Sequence, residues 1–261
     1  MIRLLFLLLV ISLPSWGQVR LNTLVVKPGQ VYEMKGTDIL VVDTLILMDS
    51  AVLLLNKSKT ENFIHVKKLV FHRGSIIDGS GVNGIKGRQG RPGFSPSAPC
   101  TSGGVGGLGA DGTNGGTGIS LFLAFQDIVF HGTASIDVSG GDAGDGAPGG
   151  NGGGGAAGTR ICAGGNGGQG GPGSNGGNGG DAGNITFQAK SVPELRALIG
   201  GRLQIRNFGG NPGVGGPGGG GGYAGLSPVG NTSLDGKSGR KGNRGKDGEP
   251  GKPGAISFVD N

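Results

Sequence analysis

The chain contains few of the residues that build a conventional globular core. Of its 261 residues, 5% are aromatic, 15% are charged and two are cysteine. Glycine supplies 64 residues, about one in four, against roughly 7% in an average protein. Because glycine loses much backbone entropy on folding and buries no side chain, this composition excludes an ordinary α/β or helical enzyme core. It leaves a flexible low-complexity chain, a collagen-type fibre, or a solenoid whose backbone packs against backbone.

The first residues have the pattern of a secretory signal peptide. Arg3 provides the positive charge, and the apolar stretch 4–13 is too short to span a bilayer. Ser15 and Gly17 are small residues at the positions that a signal peptidase reads, so cleavage is expected before Gln18. An uncleaved anchor is the alternative. The sequence therefore predicts a mature chain that is secreted or held at the cell surface, with no membrane span.

Apolar segments recur along the mature chain with similar sequences. The segment Val66–Asp78 aligns with Phe125–Asp137, an earlier copy runs over Val42–Leu53, and a weaker one begins at Ile185. Repeats of β-branched residues bounded by Gly, Ser and Asp indicate stacked strands that bury their side chains against the next copy. The prediction is an all-β chain with a short right-handed β-solenoid, and a short helix over Pro193–Leu198.

Between these segments lie glycine runs with a period of three. The period holds over 81–93, 103–118 and 236–254, and doubled glycines repeat in triplets over 164–180. Three residues per turn is the period of the polyproline II helix, which has no internal hydrogen bonds. Such a helix is stable in a fold only if its N–H and C=O groups pair with neighbouring chains. Disordered linkers are the alternative, and an isolated collagen triple helix is a further one for 236–254.

Each glycine run is interrupted near its middle, at 94–101, 159–163 and 223–235, which predicts three out-and-back hairpins and hence six antiparallel arms. The first and last arms carry single-glycine triplets, so we expect them at opposite corners of a two-layer stack, where neighbours are fewest. The predicted divisions are a signal peptide at 1–17, N-terminal coils at 18–78, three hairpins within 79–254 (79–118, 139–183 and 209–254), intervening coils at 119–138 and 184–208, and a terminal strand at 255–261.

The two cysteines lie in the first two predicted tips. Adjacent hairpins place Cys100 beside Cys162, and cysteines in an oxidising compartment tend to pair. We therefore expect a disulfide between them, with two free thiols as the alternative.

No catalytic or metal-binding constellation stands out, and no cofactor is expected. Asp78 and Asp137 occupy equivalent repeat positions and would stack as paired carboxylates, although aspartate is also favoured where a strand ends in a turn. His72 and His131 repeat in the same way, without a third ligand. Histidines repeated at successive solvent-facing turns would explain this pattern as well as a metal site does.

The formal net charge is +6, and the basic residues are concentrated in the first and last arms. Two stripes of this kind suit an anionic polysaccharide, lipopolysaccharide or nucleic acid, or serve only solubility. Within these stripes no aromatic residues for base stacking alternate with the basic residues, so nucleic acid is not expected. The stripes comprise Lys86, Arg88 and Arg91 in the first arm and Lys237, Arg240, Lys241 and Arg244 in the last.

These period-three arms resemble the polyglycine II bundles of springtail antifreeze proteins and the receptor-binding adhesins at the tips of phage long tail fibres. Their GGN and GGQ triplets are also similar to those of glycine-rich mycobacterial surface proteins, and the strands resemble pectin-lyase-type β-helix coils. The resemblance implies a rigid glycine-rich scaffold that displays variable loops.

Together these features predict a secreted, non-enzymatic structural or adhesive protein that contacts a cell-surface or matrix glycan or protein through its hairpin tips. An ice-binding protein is the alternative, with a flat, charge-free face that includes Ala110, Thr113 and Thr117. A polysaccharide-active enzyme that uses Asp78 and Asp137 is a further one. The tip residues expected to bind are Phe94, Arg160, Tyr223 and Leu226.

Overall fold

A computed structural model describes residues 19–228 and 232–260. The predicted signal peptide lies outside these residues. The described part contains eleven β-strands, one α-helix (α1, Val192–Leu198) and a short 3-10 helix at Thr232–Leu234. The strands are β1 (Val19–Val26), β2 (Val31–Glu33), β3 (Ile39–Leu47), β4 (Val52–Leu54), β5 (Glu61–Phe71), β6 (Ser75–Asp78), β7 (Ser120–Phe130), β8 (Ala134–Asp137), β9 (Ile185–Ala189), β10 (Leu203–Arg206) and β11 (Ile256–Asp260).

The chain passes alternately through two parallel sheets. One has six strands in the order β1-β3-β5-β7-β9-β11, and the other has five in the order β10-β8-β6-β4-β2. Every strand pair is parallel. The prediction of an all-β chain of stacked parallel strands is confirmed at this level, and α1 begins one residue before the predicted helix.

The register of the strands reproduces the repeat seen in the sequence. Val66 pairs with Phe125 in the six-stranded sheet, and Asp78 pairs with Asp137 in the five-stranded one. Corresponding apolar residues therefore lie directly above one another, and the rings of Phe71 and Phe130 are 5.4 Å apart. The inward faces of both sheets contribute to one apolar cluster. Its largest fully buried side chains are Phe71, Phe187, Met34, Leu40, Leu45, Leu47, Leu53, Leu55, Ile64, Leu69, Ile77 and Leu121.

The glycine segments extend from one corner of the two stacked sheets. Each begins after a strand of the five-stranded sheet (β6, β8 or β10) and returns to the next strand of the six-stranded sheet. We call the outgoing and returning halves arms 1 to 6, bounded by their hydrogen-bonded residues: 79–94, 101–119, 138–158, 164–184, 207–226 and 234–255. Because successive strands stack at about 4.8 Å, successive segments start side by side.

Backbone hydrogen bonds join the arms at every third residue. Arms 1, 3 and 5 run parallel in one layer and arms 2, 4 and 6 in another, while bonds between the layers are antiparallel. At one level, Gly150 donates to Gly107 (2.8 Å), Gly171 to Gly150 (2.8 Å) and Gly219 to Gly171 (2.9 Å). In the described residues arm 1 bonds only to arms 2 and 3, and arm 6 only to arms 4 and 5, whereas arms 3 and 4 each bond to four others.

Glycine fills most positions at which an arm faces another arm. A Cβ built on Gly171, for example, would overlap the carbonyl oxygen of Gly107. Larger residues stand at a few such positions, among them the buried Ala147 and Ser174 at one level of arms 3 and 4. There the bonds lengthen, to 3.1 Å from Ser174 to Ala147 and 3.2 Å from Ala147 to Ala110. The Ser174 hydroxyl compensates because it donates to the Ala110 carbonyl and accepts from the Ala147 N–H at 2.7 Å.

We expect Ser174→Ala to lower the free energy of unfolding by about 1 kcal/mol or more, because it leaves a buried N–H and a buried carbonyl with poorer partners. Urea denaturation followed by circular dichroism measures this loss. Ser238→Ala, which truncates an exposed serine of arm 6, serves as the control and should change little. Equal stability of the two variants would mean that the hydroxyl does not bridge the arms.

Candidate binding surfaces

The tips of the first two hairpins are joined by a disulfide. Cys100 and Cys162 are bonded, with their Cα atoms 6.1 Å apart, so the expected pairing is confirmed. The Cys100 N–H donates to the Ala157 carbonyl at 2.9 Å, which ties the first tip to arm 3. A disulfide of this kind indicates a non-reducing compartment.

The end of the arms farthest from the sheets, which we call the distal end, exposes large apolar side chains. Ile161 is 96% exposed, Tyr223 86% and Phe94 74%, and these are the three most exposed large hydrophobic residues of the described chain. Leu226 (65%) and Arg160 are exposed beside them. Ile161 was missed in the sequence analysis, and the signal that marked it was an isoleucine within a short non-glycine interruption.

The third hairpin turns later than its sequence suggested. The carbonyls of Tyr223 and Leu226 accept hydrogen bonds from Gly155 (2.9 Å) and Gly158 (3.0 Å), so arm 5 continues to Leu226. The expected start of this tip at Tyr223 is therefore wrong. The reason is that non-glycine residues fit an arm wherever they point outward, so a change of composition does not mark the end of pairing.

The two layers present two broad outer faces. The amide face consists of every third residue from Ser102 to Thr117 in arm 2, from Asn166 to Asp181 in arm 4, and from Lys237 to Lys252 in arm 6. The opposite face consists of every third residue from Asn83 to Pro92, from Asp142 to Asn151, and from Phe208 to Leu226 in arms 1, 3 and 5. Residues that face outward carry backbone N–H groups that the arm-to-arm bonds do not use.

Short polar side chains accept hydrogen bonds from these remaining N–H groups. On the amide face, Asn114 Oδ1 accepts from the N–H of Asn178 (2.8 Å), and Asn178 Oδ1 accepts from that of Glu249 (2.9 Å). The pattern repeats on the opposite face, where Asp145 Oδ1 accepts from Val214 N–H at 2.9 Å. Asn, Asp and Ser therefore recur in the triplets because each caps a backbone donor on the next arm.

At two places proline removes the backbone donor where the opposite residue offers no cap. The constant register places Leu108 opposite Pro172 on the amide face, and Pro148 opposite Pro217 on the other. Leucine and proline side chains offer no acceptor, and proline has no N–H that needs one. The positions of several prolines thus follow from pairing between arms.

The two basic stripes lie on the corner arms, and their side chains are exposed. In arm 1, Arg88 and Arg91 point to the side edge of the bundle, away from the row that contains Lys86. In arm 6, Lys237 and Arg240 belong to the amide face, whereas Lys241 and Arg244 lie on the adjoining edge. Arg244 pairs with Asp247 at 2.7 Å, so its charge is partly neutralised.

The repeated aspartates have structural partners. Asp78 Oδ1 accepts from the N–H of Ser80 at 2.9 Å, and Asp137 Oδ1 accepts from that of Ser139 at 3.0 Å. An ion pair of 3.8 Å links Asp137 to Arg206. These contacts account for aspartate at the point where a strand gives way to an arm.

The rings of the repeated histidines lie next to each other, tilted by 38°, with their centroids 4.7 Å apart. Asp49 lies 4.0 Å from His72. Over the described ranges, no group of three or more His, Cys, Asp or Glu side chains is placed to hold a metal ion.

A cleft of about 700 Å³ lies between α1 and β7. Phe125, Asp127, Lys190 and Glu194 are among the residues that line it, and Asp78 and Asp137 are not. The cleft does not bring together Asp78 and Asp137, the carboxylate pair that a polysaccharide-active enzyme was expected to use.

On the outside of the same sheet, a hydrogen bond from the Lys67 ammonium lowers the pKa of the Asp43 carboxyl.

The three residues expected to form a flat ice-binding face do not share one. Ala110 and Thr113 belong to the row that contacts arm 1, where Thr113 Oγ1 accepts from the Ile85 N–H at 2.6 Å. Thr117 belongs to the outward row of arm 2, which also contains Asp111. The expectation of one charge-free face through these residues is therefore wrong, because consecutive positions of a triplet point in different directions.

No helix in the described ranges is long and apolar enough to cross a bilayer. No family model matches the chain, and no curated protein matches it. Among solved structures it is similar to a springtail antifreeze protein from Granisotoma rainieri, described as a bundle of nine polyproline type II helices, with 25% identity, 69% of this chain and 95% of that chain covered, and a TM-score of 0.11. This likeness is too weak to indicate a function for the chain.

Proposed function

We propose that this chain is a secreted, non-enzymatic display protein that makes adhesive contacts through the distal end of a rigid bundle. Its strands form a short β-solenoid, and its six arms form a polyglycine II bundle. The partner is a cell-surface or matrix glycan or protein. Export by the signal peptide at 1–17 is part of this proposal.

The hydrogen bonds between arms support the bundle. Between any two bonded arms the hydrogen bonds recur at every third residue, which is the period of a polyproline II helix. Because that helix has no internal bonds, lateral pairing supplies its backbone partners. Outward side chains cap the donors left over, as Asn175 Oδ1 does for the N–H of Lys246 at 2.8 Å.

The observation that carries the display function is the exposure of the distal end. The three most exposed large hydrophobic residues of the described chain, Ile161, Tyr223 and Phe94, lie there together. Exposed apolar groups on a rigid support are typical of interaction sites, since the ordering entropy has already been spent in folding. The disulfide between Cys100 and Cys162 adds to that rigidity.

The test is binding of the mature protein to whole cells and to immobilised surface glycans. In the tip variant, Phe94, Arg160, Tyr223 and Leu226 are all replaced by serine. Because all four side chains are exposed, the substitutions should leave stability nearly unchanged. We expect binding to fall at least about tenfold, which corresponds to about 1.4 kcal/mol.

A matched variant has the same substitutions on the sides of the bundle, at Ile85, Arg88, Leu108 and Val214. These are three exposed apolar residues and one exposed arginine, so the number of large hydrophobic and of basic side chains removed is the same. Binding by this variant should equal that of the unmodified protein. Unchanged binding by the tip variant would refute binding through these four tip side chains, and equal losses in both variants would refute its location at the distal end.

A further inference from the structure

The distal two-thirds of the amide face combines neutral donors with positive charges. Asn166 and Asn175 of arm 4 lie beside Lys237, Arg240 and Lys246 of arm 6, and all five side chains are exposed. We call these five residues the distal patch.

Hydrogen bonds fix the orientation of the two asparagine amides. Asn166 Oδ1 accepts from the N–H of Lys237 at 2.7 Å, and Asn175 Oδ1 accepts from that of Lys246 at 2.8 Å. An N–H donor can pair only with the oxygen of a carboxamide. The Nδ2 groups must therefore face away from the backbone, and they donate to none of the described residues. They present fixed donors to the solvent.

The cations follow a regular line. Lys237, Arg240 and Lys246 lie at multiples of three residues along arm 6, and a polyproline II rise of 3.1 Å per residue sets one triplet at about 9 Å. Their backbone is held by bonds from arm 4, so the spacing between side chains is set by the bundle. A line of positive charge with adjoining fixed donors matches a ligand that offers acceptors and negative charge at regular intervals.

Acidic residues border the patch on the side nearest the sheets. There Asp181 of arm 4 and Glu249 of arm 6 face outward, together with Asn178 and Lys252, and Asp111 on arm 2 lies level with Asn175. Phe, Tyr and Trp do not occur in arms 2, 4 and 6, so the patch has no platform on which bases could stack. The donor pattern therefore favours a polysaccharide over a nucleic acid.

We propose that the distal patch binds a linear acidic polysaccharide that lies along arm 6. Its carboxylate or sulfate groups pair with Lys237, Arg240 and Lys246. Its other oxygens accept from Nδ2 of Asn166 and Asn175. This site goes beyond the display function because it uses the side of the bundle and not the exposed apolar tips.

The first experiment measures binding of the whole mature protein to heparin, as a sulfated probe, and to polygalacturonate, as a carboxylated one. Neutral dextran and duplex DNA are run beside them. The variant K237Q/R240Q/K246Q removes three charges from the patch, and K86Q/R88Q/R91Q removes three from the opposite corner. At about 0.15 M salt we expect the first to weaken binding at least about tenfold and the second less than about threefold.

The second experiment tests the amides while preserving their structural role. N166D/N175D keeps the oxygens that cap Lys237 and Lys246 but replaces the outward donors with negative charge. N83D/N151D makes the same change on the opposite face, where the two asparagines cap Asp142 (2.9 Å) and Gly220 (2.8 Å). Only the first pair should weaken polysaccharide binding, by about tenfold, and circular dichroism should show both folded.

Several results would overturn the site. These are absence of binding to both acidic probes, equal losses in the two charge variants, or binding to DNA as tight as that to the polysaccharides. The last result would assign the affinity to net charge alone. The tip variant keeps the whole patch, so it should bind both probes normally even if it no longer binds cells. The two proposals can therefore fail independently, and the experiments show which of them has failed.

Discussion

Replacing Gly219 with alanine is expected to lower the free energy of unfolding by about 3 kcal/mol or more, at the upper end of the range for overpacked cores. A Cβ at this position would lie within 2.5 Å of the Gly150 carbonyl carbon and closer still to its oxygen. Both groups are backbone, so no side-chain rotamer can relieve the overlap. Arms 3 and 5 would have to separate, which also strains the 2.9 Å bond from Gly219 to Gly171.

The next residue provides the matched control for this prediction. Gly220 points outward, and a Cβ there would lie 3.5 Å from Asn151 Oδ1, an ordinary contact distance. Gly220→Ala should therefore be neutral or stabilise by up to about 1 kcal/mol, because alanine has less backbone entropy to lose. Urea denaturation of the two variants measures the difference, and amide exchange in arms 3 to 5 locates it. Equal stability of the two would show that the arms are not closely packed.

Loss of the disulfide is expected to have an effect of similar size. The bond closes a loop with a sequence separation of 62, for which the chain-entropy relation gives about 4 kcal/mol. The double substitution Cys100→Ser and Cys162→Ser should lower the free energy of unfolding by about this amount. It should also raise amide exchange at the distal end before it does so in the sheets, because the cysteines lie at the tips.

Reductant provides the control for the disulfide prediction. It should destabilise the unmodified protein to the level of the double serine variant and leave that variant unchanged. Stability that does not respond to reductant would mean that lateral pairing of the arms alone holds the tips together. Display through Phe94 and Tyr223 would then not depend on the bond.

Much of the fold was predictable because its signals are local. The repeat shared by Val66–Asp78 and Phe125–Asp137 predicted the parallel register that the sheets show. The position of Cys100 and Cys162 in successive interruptions predicted their bond. Single-glycine triplets at both ends of the glycine-rich region predicted few neighbours there, and within the described ranges arms 1 and 6 each bond to two other arms, fewer than any other arm does.

The candidate sites were less predictable, because a triplet repeat does not state which of its positions faces outward. Ala110 and Thr113 were grouped with Thr117, although they belong to a different row. Tyr223 was placed in a loop, although it belongs to arm 5 and its carbonyl accepts a hydrogen bond from Gly155 of arm 3. Ile161 was overlooked because exposure depends on where the chain turns.

By itself, the sequence determined the composition of this protein's scaffold: strands that repeat, glycine at every third residue, and two cysteines in matching tips. These are properties of residue type and spacing. Only the tertiary structure decided which donors an asparagine caps and which way its amide points, because a cap requires an acceptor on one arm and an N–H on another about 60–70 residues away in the chain, as Asn114 and Asn178 show. The distal patch exists for the same reason, since lateral hydrogen bonds bring arms 4 and 6 side by side.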